Sequence, residues 1–339
     1  MTDRLFVSTR KGLFTLGRAA TGAWVVERVS FLGDVVSLAL HDGRDGTLYA
    51  ALGHGHFGVK LQRSPDLGAT WEEIAAPAFP TQPEGQVDTL PDGKPWPWRV
   101  EQIWALEAGG GQNADNRRDS RPDSRHDLWC GTIGGGLFRS SDRGQTWALV
   151  RGLWDHPQRK EWFGGGAELP GIHSICVHPQ DGRVLTVGVS CGGVWRSEDG
   201  GDSWRLTSNG MFAEYMPPAR RDDPAIQDPH RLVQCRAHPD RLWSQHHNGV
   251  FRSDDGGRSW RSVTTVKPSV FGFAVAVDPN HGDTAWLVPA QKDQTRVPVD
   301  ARVVVARTRD SGENWDVLTR GLPQSHAYDI TYRHAPVFP

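Results

Sequence analysis

Cysteine is scarce in this chain: four in 339 residues, with no Cys-x-x-Cys pair. A disulfide framework and a thiolate zinc site are disfavoured by that usage. Cys130, Cys176 and Cys235 sit in apolar strand-like runs and Cys191 beside a Gly-Gly turn, so buried reduced thiols are expected. No apolar run approaches the roughly 18 residues that cross a bilayer as a helix. Net charge is also nearly missing. The 38 basic and 40 acidic side chains leave -2, which argues against nucleic acid or an anionic membrane as partner. The opening Met1-Thr2-Asp3-Arg4-Leu5-Phe6 has no basic-then-apolar leader and enters a strand-like run at once, giving a cytoplasmic expectation. Neither helical periodicity nor a heptad pattern is sustained. Gly134-Gly135-Gly136 and Gly164-Gly165-Gly166 lack the strand-loop-helix setting and the lysine of a phosphate loop. No cofactor is expected.

Glycine and tryptophan are plentiful, 39 and 15 respectively, and a repeated motif uses both. Ser253-Asp254-Asp255-Gly256-Gly257-Arg258-Ser259-Trp260 has counterparts at 64–71, 140–147, 197–204 and 308–315, all fitting Ser/Thr-x-Asp-x-Gly-x-(Thr/Ser/Asn)-Trp. The aspartate can accept backbone N–H bonds a few residues on, closing a tight turn. Glycine supplies a positive φ, and tryptophan anchors the returning strand. The motif reads as a reinforced hairpin rather than a catalytic device. Asp142, Asp199, Asp255 and Asp310 are spaced by 57, 56 and 55 residues, while Asp66 to Asp142 spans 76. Recurrence at that scale is the signature of a β-propeller, one four-stranded blade per repeat.

These repeats resemble the Asp-box, or bacterial neuraminidase repeat, propellers, a group that includes sialidases, xyloglucanases, sortilin-type receptors and photosystem assembly factors. Residues 53–60, 171–176 and 245–249 are similar to a bacterial subgroup labelled exo-alpha-sialidase or glycosyl hydrolase. The resemblance implies one all-β propeller over residues 1–339. Six blades are countable. The first, over 5–29, has three strands and no innermost one, and the others open near Val36, Ile103, Ile172, Leu232 and Phe273. Residues 328–333 read as a further innermost strand. The subgroup has seven blades, so that strand either closes the first blade or begins a truncated seventh, and truncation is the expectation. Residues 75–101, rich in proline, and 108–127, a polar stretch read as a mobile surface loop, are insertions.

In an up-and-down blade the motif hairpins share a face with the turns between strands one and two. The opposite face collects the remaining turns and the long blade-to-blade connections, and a binding site is expected on it. Candidate ligand contacts there are His54, His56, Trp98, Arg99, His173, Tyr215, His230, Gln234, His246, His247, Lys292 and His326, with Trp154 and Trp162 as further exposed aromatics. The resemblance raises sialidase activity, whose family uses a tyrosine nucleophile and an arginine triad. This chain has four tyrosines, of which Tyr215 alone falls on the loop face, and no Phe/Tyr-Arg-Ile/Leu-Pro motif near its start, so true sialidase activity is not expected. A carboxylate pair drawn from Glu101, Glu168 and Glu214 is the hydrolytic alternative, with tryptophans stacking on sugar rings. His54-x-His56 and His246-His247 are the densest histidine groupings but have no HExxH-type spacing, and no metal is expected. The ligand expectation is a carbohydrate or small molecule. The competing class is a non-catalytic propeller that docks a protein.

Overall fold

The computed structural model describes residues 3–110, 126–165 and 167–333. Their strands form six antiparallel sheets in which sequence neighbours pair, the up-and-down order of propeller blades. The first sheet has three strands, β1 (Arg4–Thr9), β2 (Gly12–Arg18) and β3 (Trp24–Ser30). Four-stranded blades follow: β4 (Val35–Asp42) to β7 (Glu72–Ile74), then β8 (Gln102–Ala108), β9 (Leu128–Ile133), β10 (Leu137–Ser140) and β11 (Ala148–Leu149). The fourth is β12 (Ile172–Val177), β13 (Leu185–Val189), β14 (Gly193–Ser197) and β15 (Arg205–Leu206). The fifth is β16 (Pro229–Gln234), β17 (Leu242–His246), β18 (Gly249–Ser253) and β19 (Arg261–Val263). The sixth is β20 (Gly272–Val277), β21 (Ala285–Pro289), β22 (Val305–Thr308) and β23 (Asp316–Leu318). Among the described residues helix is confined to one α-turn, Arg151–Trp154, and short 3-10 segments, none long and apolar enough to cross a membrane.

The middle strands read as apolar runs without alternation because blades cover both faces of each sheet. β9, β13, β14, β17, β18 and β20 are buried along their whole length. β3 of the first sheet is instead exposed along most of its length. Between blades three and four the core is built of Trp129, Trp154, Trp162, Trp195 and aliphatic residues, and between five and six of Trp243, Val250, Val275 and Leu287. All four cysteines are buried thiols outside any disulfide.

The repeated hairpin is a local hydrogen-bond circuit. Asp255 Oδ1 accepts from the N–H groups of Arg258 and Ser259, both at 3.0 Å, and from the Ser253 hydroxyl at 2.8 Å. Ser253 Oγ in turn accepts from Gly257 N at 2.9 Å, and Gly257 has φ +82°. The same aspartate-to-backbone bond recurs at Asp66, Asp142, Asp199 and Asp310. Four of the five tryptophans then tie their blade to an earlier segment: Trp71 donates to Ser30, Trp147 to Ala75, Trp260 to Thr207 and Trp315 to Thr265. Gly200 donates to Arg183, Gly256 to Asp240 and Ser311 to Asp283. The hairpins of blades four, five and six therefore lie against the turn joining the first two strands of their blade, on one common face.

These carboxylates are held below their ordinary range. The Thr70 N–H and hydroxyl, with Ser64, bring Asp66 to about 2. At Asp142, Asp199 and Asp255 burial pushes upward, and the hairpin hydrogen bonds outweigh it. A folded pKa below the unfolded one adds stability above about pH 4, lost as pH falls through the folded value. Denaturation midpoints are thus expected to hold near neutrality and drop between about pH 4 and 2. Asn at both Asp142 and Asp199 should flatten that drop, and an unchanged acid limb would contradict it.

Two expectations need correction. Residues 328–333 are not a strand, because the segment pairs with no sheet. Its side chains instead cover the sixth blade: Ile330 packs on Phe271 and Phe273, and Tyr332 lies 5.3 Å from Phe273. Trp154 and Trp162 are not surface aromatics but fully enclosed core. The 75–101 excursion likewise turns inward at its buried Trp96, which donates to Gly134 O at 3.0 Å. Most of the expected 108–127 loop falls outside the described residues.

Candidate functional site

The innermost strands of blades two to six each contain a register shift near the loop-face end. In four of them the extra residue is Ser37, Trp104, His173 or His230. A bulge re-aims a side chain out of the pleat, and here Trp104, His173 and His230 are turned toward the central channel. Arg333 stands over both Trp104, at 4.5 Å, and Phe273, at 6.0 Å. Those rings belong to non-adjacent blades, so Arg333 occupies the channel. His173 meets Trp104 edge-on at 5.8 Å, and His230 stacks on Phe273 at 4.4 Å.

At the channel mouth the connection into blade five carries Asp228. Asp223 accepts from Ala225 N at 3.0 Å to start the 3-10 turn Pro224–Ile226, and Gln227 Nε2 donates back to the carbonyls of Arg221 and Asp223. Asp228 is thereby placed with its own N–H 3.1 Å from His246 Nε2, while its carbonyl accepts from His247 N at 3.0 Å. Its Oδ1 accepts from Cys191 N at 3.1 Å and Ser190 Oγ at 3.2 Å, both in the β13–β14 turn. Its Oδ2 stands 3.4 Å from His230 Nε2 and 3.4 Å from His247 Nδ1. The other nitrogen of His247 faces Asp293 Oδ2 at 3.5 Å, and Asp293 is paired with Arg296 at 2.8 Å. Tyr215 packs edge-on against His247 at 4.9 Å, its hydroxyl donating to Ile226 O.

Burial would raise the Asp228 carboxyl, but the two imidazoles and the Arg333 charge outweigh it and hold the group well below the usual range. His230 is lowered by burial against the pull of Asp228, and His246 falls to about 3 through burial. Asp228 is therefore an anion and His230 and His246 are neutral near pH 7. Burial also drives the Cys191 thiol upward, so it is not a thiolate nucleophile.

A second feature of the loop face is a cleft of about 150 Å³ lined by Gln86, Asp88, Trp98, Trp154, Asp155, His156, Arg159 and Lys160. Asp88 Oδ2 accepts from Trp98 Nε1 and from Arg159 Nη2, each at 2.8 Å. The Arg159 guanidinium lies 3.9 Å from the Trp154 ring and 4.5 Å from Trp96. A cavity of the same volume on the hairpin face is lined by Arg196, Glu198, Asp199, Ser203, Arg205, Thr207 and Arg258. Its charged groups engage one another, Arg258 with Glu198 at 2.9 Å and Ser203 with Asp199, which fits a structural role.

Of the residues expected from sequence, Tyr215, His230, His246 and His247 gather around Asp228, and Trp98 lines the cleft. His173 reaches the channel but is fully buried, its Nδ1 2.8 Å from Ser174 Oγ. Lys292 is exposed beside Asp293, and His326 is exposed. His54 stands 3.8 Å from Asp34, and exposed His56 lies edge-on to Phe57, both away in blade two. Arg99 and Glu101 pair with each other at 2.6 Å, Glu168 is exposed, and Glu214 is exposed 3.9 Å from Arg221. Gln234 requires correction. It pairs with Leu242 at the hairpin-face end of β16, the far end from His230. Asp88, Arg159, Asp228, Asp293 and Arg333 were missed. The available signal was Asp228-Pro229-His230, an acid and an imidazole two apart at the start of an innermost strand.

No family model matches the chain. The oligoxyloglucan-reducing end-specific xyloglucanase of Emericella nidulans is 34% identical over 241 residues, 63% of this chain and 28% of that protein. A probable enzyme of the same description from Neosartorya fischeri is 33% identical over 95 residues, 28% of this chain. The chain thus spans only 11% and 28% of the lengths of these curated relatives. Among solved structures, the GH74 xyloglucanase from Xanthomonas campestris aligns over 94% of this chain and 44% of its own, with TM-score 0.61 and 17% identity. YCF48 from Cyanidioschyzon merolae aligns over 93% and 80%, with TM-score 0.52 and 13% identity. At such identities the solved structures show the fold alone, the β-propeller whose six blades are seen in the sheets of this chain.

Proposed function

We propose that this propeller recognises a carbohydrate on its loop face, one sugar ring lying in the cleft beside Trp98. The observation that carries this reading is the composition of the cleft. A half-buried indole stands with Gln86, Asp88, Asp155, His156 and Lys160 around a volume of about 150 Å³. A pyranose offers an apolar C–H face to an aromatic ring and hydroxyls to such polar groups. Asp88 fixes the indole through its N–H, so the platform is preorganised. The xyloglucanase relatives add support for a glycan as the ligand class. Acid catalysis needs a carboxyl in desolvated, apolar surroundings near a second carboxylate. Glu101, Glu168 and Glu214 lack those surroundings, so the reading is recognition without turnover by these three.

Calorimetric titration with a panel of neutral, acidic and amino oligosaccharides, xyloglucan fragments included, is expected to reveal a binder. Trp98→Ala should weaken it about 10- to 100-fold. Binding unchanged in Trp98→Ala, or no saccharide bound across the panel, would remove this reading.

A further inference from the structure

We infer that Asp228, His230 and His247 bind a divalent transition-metal ion of the zinc class at the channel mouth. The site is separate from the Trp98 cleft and does not depend on the carbohydrate reading.

One ligand atom from each residue lies within 4.8 Å of the others. Asp228 Oδ2 stands 3.4 Å from both His230 Nε2 and His247 Nδ1. A charge-assisted N–H···O bond would be about 2.7–2.9 Å. Two donors each about 2.0–2.2 Å from one tetrahedral ion are instead about 3.3–3.5 Å apart.

The protons point to the same arrangement. His230 Nδ1 lies 2.7 Å from the Gly272 carbonyl, which can only accept, so a hydrogen sits on Nδ1 and Nε2 is the nitrogen left toward Asp228. His247 is oriented in reverse, with Nδ1 toward Asp228 and Nε2 3.5 Å from Asp293 Oδ2, a charge contact longer than a direct hydrogen bond. An imidazole whose second nitrogen is assigned to a carbonyl or a carboxylate is the usual support of a metal ligand. Cys191 N–H and the Ser190 hydroxyl occupy Oδ1 of Asp228, leaving Oδ2 for the ion.

The charged surroundings are mixed. Asp228 and Asp293 favour a cation, while Arg333 and Arg296, which reaches over Phe273 at 5.5 Å, oppose it. Two imidazoles and one carboxylate select a zinc-like ion over magnesium or calcium, which take oxygen shells. The Tyr215 hydroxyl is committed to Ile226 O, so a solvent or ligand oxygen completes the sphere. His247 keeps 18% of its side chain exposed, giving an entry path.

The experiment is zinc titration of the full chain after chelator treatment and dialysis, with magnesium as comparison and cobalt(II) as spectroscopic probe. Expected are one zinc per chain, no comparable magnesium binding, and the intense visible bands of tetrahedral cobalt. His247→Ala, chosen because this side chain is at the rim and its loss spares the core, should weaken zinc at least about 100-fold, and Asp293→Asn about 10-fold. His54→Ala/His56→Ala should bind zinc as the parent does. Failure of the parent to take up stoichiometric zinc, pale octahedral cobalt, or parental affinity in a folded His247→Ala would each overturn the inference.

Discussion

Trp195→Ala is expected to lose about 3–5 kcal/mol of unfolding free energy, read by chemical denaturation. Trp195 lies on β14, fully buried, in the core between blades three and four. Its ring meets His156 at 4.8 Å and Trp162 at 5.8 Å, both edge-on, and its N–H donates to Gly192 O at 2.7 Å. Truncation removes a large apolar surface, those ring contacts and a buried hydrogen bond together. The cavity closes poorly because sheets stand on both sides, and incomplete relaxation is what makes large-to-small changes expensive. A loss under about 1 kcal/mol, the level of a surface substitution, would mean that this interface is not packed as described.

Arg159→Met is expected to cost a similar 3–5 kcal/mol, by a different route. The Arg159 and Asp88 side chains are 5% and 11% exposed and form an ion pair at 2.8 Å. Removing the cation leaves a largely buried carboxylate with the Trp98 N–H and a long Gln86 contact as its remaining side-chain partners. Replacing both partners, as in Asp88→Leu with Arg159→Met, should recover most of the loss, because an apolar pair carries no stranded charge. The pH dependence gives a second check. Burial pushes Asp88 up, but the bonds from Trp98 and Arg159 and the Arg159 charge bring it below its ordinary value. The pair's contribution is therefore present above the unfolded pKa and is lost as pH falls through the folded one. Without Arg159, burial is less opposed and the carboxyl moves up. Parent and variant should then converge on acidification. Divergence at low pH would contradict the assignment, as would a single variant no less stable than the double. Because Asp88 also fixes Trp98, Arg159→Met should weaken saccharide binding as well.

Much of the fold was legible because its unit is local. The bonds that close the hairpin around Asp255 on itself are made within residues 253–259, so a short window of sequence carries the turn. Strand positions followed from it, since each hairpin has a buried strand before it and a returning strand after it. Contacts that depend on the direction of a connection were not legible. Trp154 and Trp162 sit in a polar, glycine-rich stretch that resembles a surface loop, yet packing against Trp96 and Trp195 takes them inside. Gln234 belongs to the right strand but to its wrong end, five residues or about 17 Å from Pro229 at β-strand rise.

The sequence by itself determined an all-β ring of repeated blades, a face bearing the hairpins and an opposite face bearing the candidate histidines. It could do so because these properties repeat at short range, where hydrogen bonding and backbone conformation act directly on neighbours. Only the tertiary structure decided which of those histidines meet. Asp228, His247, Asp293 and Arg333 come from separate turns and connections. A carboxylate and an imidazole acquire shared chemistry only when ring formation brings them within a few ångströms and removes the water between them.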